Sequence, residues 1–131
     1  MPYTYFNPNP FQHFIEDCAA RALSKALSID WDMASAILAN AGIKMGYNAD
    51  DKRVFYAILR EQGFDREVIP NTCPDCYTAE DFCIEHPKGT YILGFGDHVA
   101  AVVDGTIYDT WDSRKEKPFF YWHKKEGESE S

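Results

Sequence analysis

The sequence predicts an α+β domain, and three observations carry that expectation. Helical apolar periodicity is confined to the chain before Gly89. Strand-like, aromatic-rich segments follow it. Asp104-Gly105 marks a tight hairpin between two of them. Helices first and strands second, without alternation, argue for N-terminal helices packed on a C-terminal antiparallel sheet. The length of 131 residues suits one domain, and 45% hydrophobic with 15% aromatic content can fill its core without staples. The expected domain covers residues 1–123, and residues 124–131 (KKEGESES) read as a flexible charged tail.

The elements follow in order. Asn7-Pro8-Asn9-Pro10 is an extended lead-in, because the residue before each proline is pushed out of the α region. Tyr3, Tyr5 and Phe6 are expected to pack it onto the body. The first helix begins near Glu16–Asp17, with Phe14, Ile15, Cys18, Ala19, Ala22, Leu23, Ala26 and Leu27 as its apolar stripe and Arg21, Ser24 and Lys25 opposite. A second helix fits Asp30 to Ala41, capped by Asp30 and ended by Gly42. A third fits Asp50 to Gln62, with Val54, Ile58 and Leu59 inward and Gly63 as its stop. Thr78 caps a fourth, running to Glu85 and closed off by Pro87 and Gly89. Strands are expected over Tyr91–Phe95, His98–Val103, Thr106–Trp111 and Pro118–Trp122.

Composition narrows the function classes. Thirteen basic against 21 acidic side chains give a formal charge of −8, which argues against a nucleic-acid groove and favours basic partners if any. No apolar run approaches the roughly 20 residues of a membrane span. The N-terminal segment shows no basic stretch followed by an apolar one, so a reducing, cytoplasmic setting is expected, with a monomer as the default. In that setting four cysteines are more often catalytic, metal-binding or buried than paired.

Cys18 stands at the N-terminal end of the first helix, where the helix's partial positive charge favours a thiolate. Taken alone, Cys18 reads more plainly as a small core hydrophobe, since free cysteine is often buried. The hairpin supplies a candidate base. Across Asp104-Gly105, Val103 faces Thr106, Val102 faces Ile107, Ala101 faces Tyr108 and Ala100 faces Asp109. Side chains alternate, so His98 shares a face with Asp109 and Trp111, and Asp109 lies diagonal to the imidazole. A carboxylate there fixes the ring's tautomer and favours its charged form, which a Cys–His pair needs. A solvated histidine with an incidental aspartate is the plainer alternative. Gln12, six residues before Cys18, could donate its amide to an oxyanion, or be an ordinary loop residue.

The order Gln12, Cys18, His98, Asp109 is that of oxyanion donor, nucleophile, base and orienter. Asn7-Pro8-Asn9-Pro10, then Asp17-Cys18 with Arg21-Ala22, resembles the start of small papain-like (C39-like) cysteine peptidase domains of bacteria and their phages. Phe82, Glu85-His86-Pro87, Gly89, Tyr91-Ile92, His98-Val99, Val102-Val103-Asp104-Gly105 and Tyr108 to Ser113 resemble that group's second half. The resemblance implies a papain-like fold and a Cys18–His98–Asp109 triad with Gln12 at the oxyanion. It also implies a peptide or protein substrate cleaved at a peptide or isopeptide bond, in bacterial host cytoplasm if phage-encoded. Resolution of the thioester by an amine instead of water would make the same site a ligase. A bulky His13-Phe14-Ile15 follows Gln12 where a glycine-rich approach is common in papain-like enzymes.

Two competing readings remain. Cys73-x-x-Cys76 and Cys83-x-x-His86 offer three thiolates and an imidazole, a legitimate structural zinc set, although the gap of six residues is shorter than usual. No other cofactor is expected. A catalytically silent papain-like domain, or a zinc-stabilised adaptor, would bind partners without chemistry.

Overall fold

The structure is a computed structural model that describes residues 3–11, 17–69, 77–95 and 98–124. The described residues run β1 (Tyr3–Tyr5), α1 (Cys18–Leu27), α2 (Trp31–Met45), α3 (Lys52–Glu61), β2 (Phe64–Val68), α4 (Ala79–Glu85), β3 (Thr90–Gly94), β4 (Val99–Val103), β5 (Thr106–Asp109) and β6 (Phe120–Lys124). The fold is α+β.

The sheet departs from expectation. It is six-stranded and mixed, in the order β1-β5-β4-β3-β6-β2. The lead-in contributes β1, which pairs parallel to β5 with Tyr3 opposite Ile107 and Tyr5 opposite Asp109. β2, from the middle of the chain, adds antiparallel to β6 at the other edge. The sheet is therefore neither wholly C-terminal nor wholly antiparallel. Both edge strands lack a long apolar alternation: Tyr3-Thr4-Tyr5 is too short, and Phe64-Asp65-Arg66-Glu67-Val68 buries only Phe64. Lys124, read with the tail, closes β6 opposite Phe64.

The sheet is covered on both sides, which explains the near-continuous apolar runs of β3 and β4. Ile92 and Trp122 join Leu23, Ala34, Leu38, Val54, Phe55, Ile58 and Leu59 in one core beneath α1, α2 and α3. Leu93, Ala100, Val102 and Ile107, which alternate to the opposite face, pack with Ala79, Phe82 and Cys83 of α4.

Helix ends follow local chemistry. Asp30 accepts the Met33 N–H at 2.8 Å, and Thr78 with Asp81 forms a reciprocal capping box. The second helix, however, passes through Gly42 and ends at Gly46, whose φ of 80° supplies the left-handed cap. Gly42 serves packing instead: a Cβ there would stand 2.7 Å from the Tyr47 carbonyl oxygen. In α1, Arg21 and Ser24, expected on the solvent side, are buried. Ser24 does so by donating its hydroxyl to the Ile29 carbonyl at 2.6 Å.

The hairpin turns as its residues require, with φ of 51° at Asp104 and 79° at Gly105. Its register pairs Val103 with Thr106, Val102 with Ile107 and Ala101 with Tyr108. β5 stops at Asp109 instead of running to Trp111. The Asp109 carboxylate accepts the N–H of Thr110 at 2.8 Å, and that local bond replaces the ladder and turns the chain.

Candidate active site

α1 begins at Cys18, which puts the thiol in the first helical position. Backbone N–H groups in the first turn have no acceptor within their own helix, so Cys18 sits at the positive end. β4 begins one residue after His98, and β5 ends at Asp109. The hairpin register brings these two together: His98 Nε2 donates to Asp109 Oδ2 at 2.7 Å. With Nε2–H committed to the carboxylate, Nδ1 is the nitrogen left for the sulfur. The Cys18 thiol lies close enough to the His98 ring and the Val99 backbone N–H for both to favour its thiolate. That amide is available because the β4–β5 register ends two residues further on, at Ala101 and Tyr108.

The electrostatics favour a charged pair. Burial alone would push the Cys18 thiol up. The His98 and Val99 hydrogen bonds, with the charges of His98 and Arg21, bring it below its ordinary value. Burial would likewise pull His98 down, but its hydrogen bonds to Asp109 and Cys18 lift it to about 9. With the ring's proton held more tightly than usual and the thiol's less tightly, a thiolate beside an imidazolium is the favoured state of the pair.

Asp109 is 1% exposed and fully engaged. Oδ2 accepts from His98 and from the Ser113 hydroxyl at 2.9 Å, while Oδ1 accepts from Thr110 N–H and from Arg21 Nη2 at 3.3 Å. Its backbone carbonyl accepts the Phe6 N–H at 2.8 Å, which ties the lead-in to the site. The imidazole packs near two rings, with centroids 4.3 Å from Trp111 and 5.8 Å from Phe95. Trp111 lies past the end of β5, so alternation along a strand does not place it, yet its ring still reaches His98 while remaining 44% exposed.

The structure thus brings Cys18, His98 and Asp109 together. Gln12, the expected oxyanion donor, lies outside the described residues, as do Cys73 and Cys76 of the zinc set. The other two members of that set have partners of their own. Cys83 is 2% exposed in the apolar cluster around Phe82, and burial, with Glu80 nearby, pushes its thiol up to about 11. His86 stacks on the Phe82 ring at 4.0 Å and donates Nδ1–H to the Phe82 carbonyl at 3.0 Å. Among the described residues no group of three or more histidine, cysteine or carboxylate side chains could hold a metal ion.

Two residues at the site escape sequence reasoning. Ser113 is fully buried on the Asp109 carboxylate, and Arg21 is 6% exposed between Asp109 and Asp17. Asp17 in turn accepts the Trp31 indole N–H at 2.8 Å. The pattern Asp17–Arg21 at i, i+4 was a usable signal for an ion pair, though not for its burial.

Among the described residues no helix is long and apolar enough to cross a membrane. No family model matches the chain, and no curated protein or solved structure does either.

Proposed function

We propose that this chain is a papain-like cysteine peptidase that cleaves a peptide or isopeptide bond by thiol acyl transfer. One observation carries the reading: Cys18 lies beside the His98 ring, whose Nε2 donates to Asp109 at 2.7 Å, an order of side chains that suits nucleophile, base and orienter. The Cys18 thiolate attacks the scissile carbonyl. The Cys18 backbone N–H, at the open end of α1, and the Gln12 amide hold the oxyanion. His98, already protonated, gives its Nδ1 proton to the leaving amine. Asp109 holds the ring and its Nε2 proton throughout. Water, deprotonated by the now neutral His98, then cleaves the thioester and frees Cys18. An incoming amine in place of water would give transfer instead of hydrolysis. The acidic chain fits a soluble cytoplasmic enzyme of bacterial or phage type that acts on peptide or protein substrates as a monomer.

Brief treatment with sub-stoichiometric iodoacetamide, read by mass spectrometry, tests this. Cys18 should be labelled first, and His98→Ala should abolish that preference. Slow, uniform labelling of all four cysteines would instead favour a catalytically silent binding module.

A further inference from the structure

We infer that Arg21 is a positioning residue: its buried guanidinium clamps the helix that carries Cys18 to the strand that carries Asp109. The inference rests on the acyl-transfer reading above and deepens it. A buried arginine needs partners for its charge, and Arg21 has one on each side. Nη1 pairs with Asp17, the residue next to the nucleophile, and Nη2 lies 3.3 Å from Asp109, the partner of the base. A planar fork can hold two carboxylates in fixed directions at once, which a lysine cannot.

Asp17 shows that the contact has displaced an alternative. It occupies the N-cap position of α1 yet makes no side-chain cap bond. Its two oxygens go to Arg21 and to the Trp31 indole N–H instead. The guanidinium therefore joins α1 to β5, and Asp17 ties α2 to the same group through Trp31. Buried ion pairs are often no more stable than apolar packing of the same volume, so stability alone is a weak reason for this one. Its location is informative. Asp17 and Arg21 travel together on α1, with Asp17 orienting the guanidinium, so sliding of α1 along the sheet strains the Asp109 arm, the one that crosses between elements. Catalysis needs the separation of sulfur and imidazole held within a fraction of an ångström.

The charged groups facing this point are Asp17 and Cys18 on α1, His98 ahead of β4 and Asp109 on β5, with the Tyr3 hydroxyl of β1 on the Asp109 carbonyl. Without Arg21, two carboxylates and a thiolate would face one imidazolium.

The test compares wild type, Arg21→Gln and Arg21→Lys by the pH profile of Cys18 alkylation and by thermal unfolding. Arg21→Gln should lower the plateau rate about tenfold and move the acid limb to higher pH, because the thiolate loses a cation. Arg21→Lys should return the limb toward its wild-type position while the plateau stays low, since charge is restored without the fork. A folded Arg21→Gln protein with the wild-type profile overturns the inference. If Arg21→Gln does not fold, Asp17→Asn and Trp31→Phe decide. Each should lower the plateau severalfold, and wild-type rates in both overturn the clamp. The two readings fail separately. An unreactive Cys18 in the wild type sinks the peptidase, while the clamp is still read from the NMR signal of the His98–Asp109 proton. That signal should broaden or vanish on loss of Arg21 or, failing its folding, of Asp17. An unaltered signal overturns the clamp.

Discussion

Replacing Asp109 by asparagine removes the charge that sets the His98 proton and leaves a side chain of nearly the same size. The carboxylate now accepts four hydrogen bonds, from His98, Ser113, Arg21 and Thr110. An amide has only one acceptor oxygen. If that oxygen keeps Arg21 and Thr110, the NH2 group faces His98 Nε2 and the Ser113 hydroxyl. The hydroxyl can rotate to accept, but the imidazole can accept only by moving its proton to Nδ1, which faces Cys18. The ring is then in the wrong tautomer to take the thiol proton. The charge effect acts in the same direction. Without the carboxylate, His98 falls from about 9 toward its ordinary 6.5, pulled down by burial and held up only by Cys18. At about 1.4 kcal/mol per unit, the imidazolium loses at most about 3 kcal/mol relative to the neutral ring. Cys18 loses its charged partner and rises. The thiolate–imidazolium pair should therefore become rarer near neutral pH, by roughly tenfold to a hundredfold. The assay is the second-order rate of iodoacetamide at Cys18 across the acid-to-alkaline range. Wild type should react through a broad plateau, whereas Asp109→Asn should react only as an ordinary thiol, at high pH. Circular dichroism confirms that the variant is folded, since Arg21 keeps its Asp17 partner. A folded Asp109→Asn protein with the wild-type profile would refute the argument that Asp109 governs the pair.

Two further outcomes follow from the same geometry. The raised His98 contributes stability that is complete below its ordinary 6.5 and is lost as pH climbs through about 9, whereas the lowered Cys18 works in the opposite sense, losing stability as pH falls below its ordinary 9. Cys18→Ala isolates the first effect, with Asp109 still holding His98 up: its melting temperature should fall as pH rises from about 6.5 toward 9, and adding His98→Ala should flatten that slope. Gly42→Ala drives a Cβ to 2.7 Å from the Tyr47 carbonyl oxygen, a backbone atom that cannot swing aside. The variant should lose about 1–3 kcal/mol in urea denaturation, and an unchanged midpoint would refute the close approach.

Local chemistry carried the sequence reading a long way. Asp30 and Thr78 cap their helices because a side-chain oxygen satisfies an N–H within the same turn, whatever lies beyond. Asp104-Gly105 turns the chain because both positions accept positive φ, and that turn alone sets the register. The His98–Asp109 contact was legible for the same reason, since counting from a two-residue turn in steps of two places them on one face. The position of Cys18 in the first turn of its helix was likewise a short-range matter.

What the sequence could not decide depended on partners far along the chain. Polarity suggested that Arg21 faces water, and it is instead held inside by carboxylates on either side, one of them 88 residues away. Gly42 looks like a helix stop, but the backbone after Gly46 folds back over it and uses the missing side chain as space. β1 and β2 carry too little apolar pattern to announce themselves. They become strands because β5 and β6 offer them unpaired edges. The charge state of the site belongs to this second class. A thiol, an imidazole and a carboxylate have ordinary affinities for protons when apart. Only their approach across a helix and two strands, in a setting where burial opposes lone charges, makes the thiolate and the imidazolium stabilise each other.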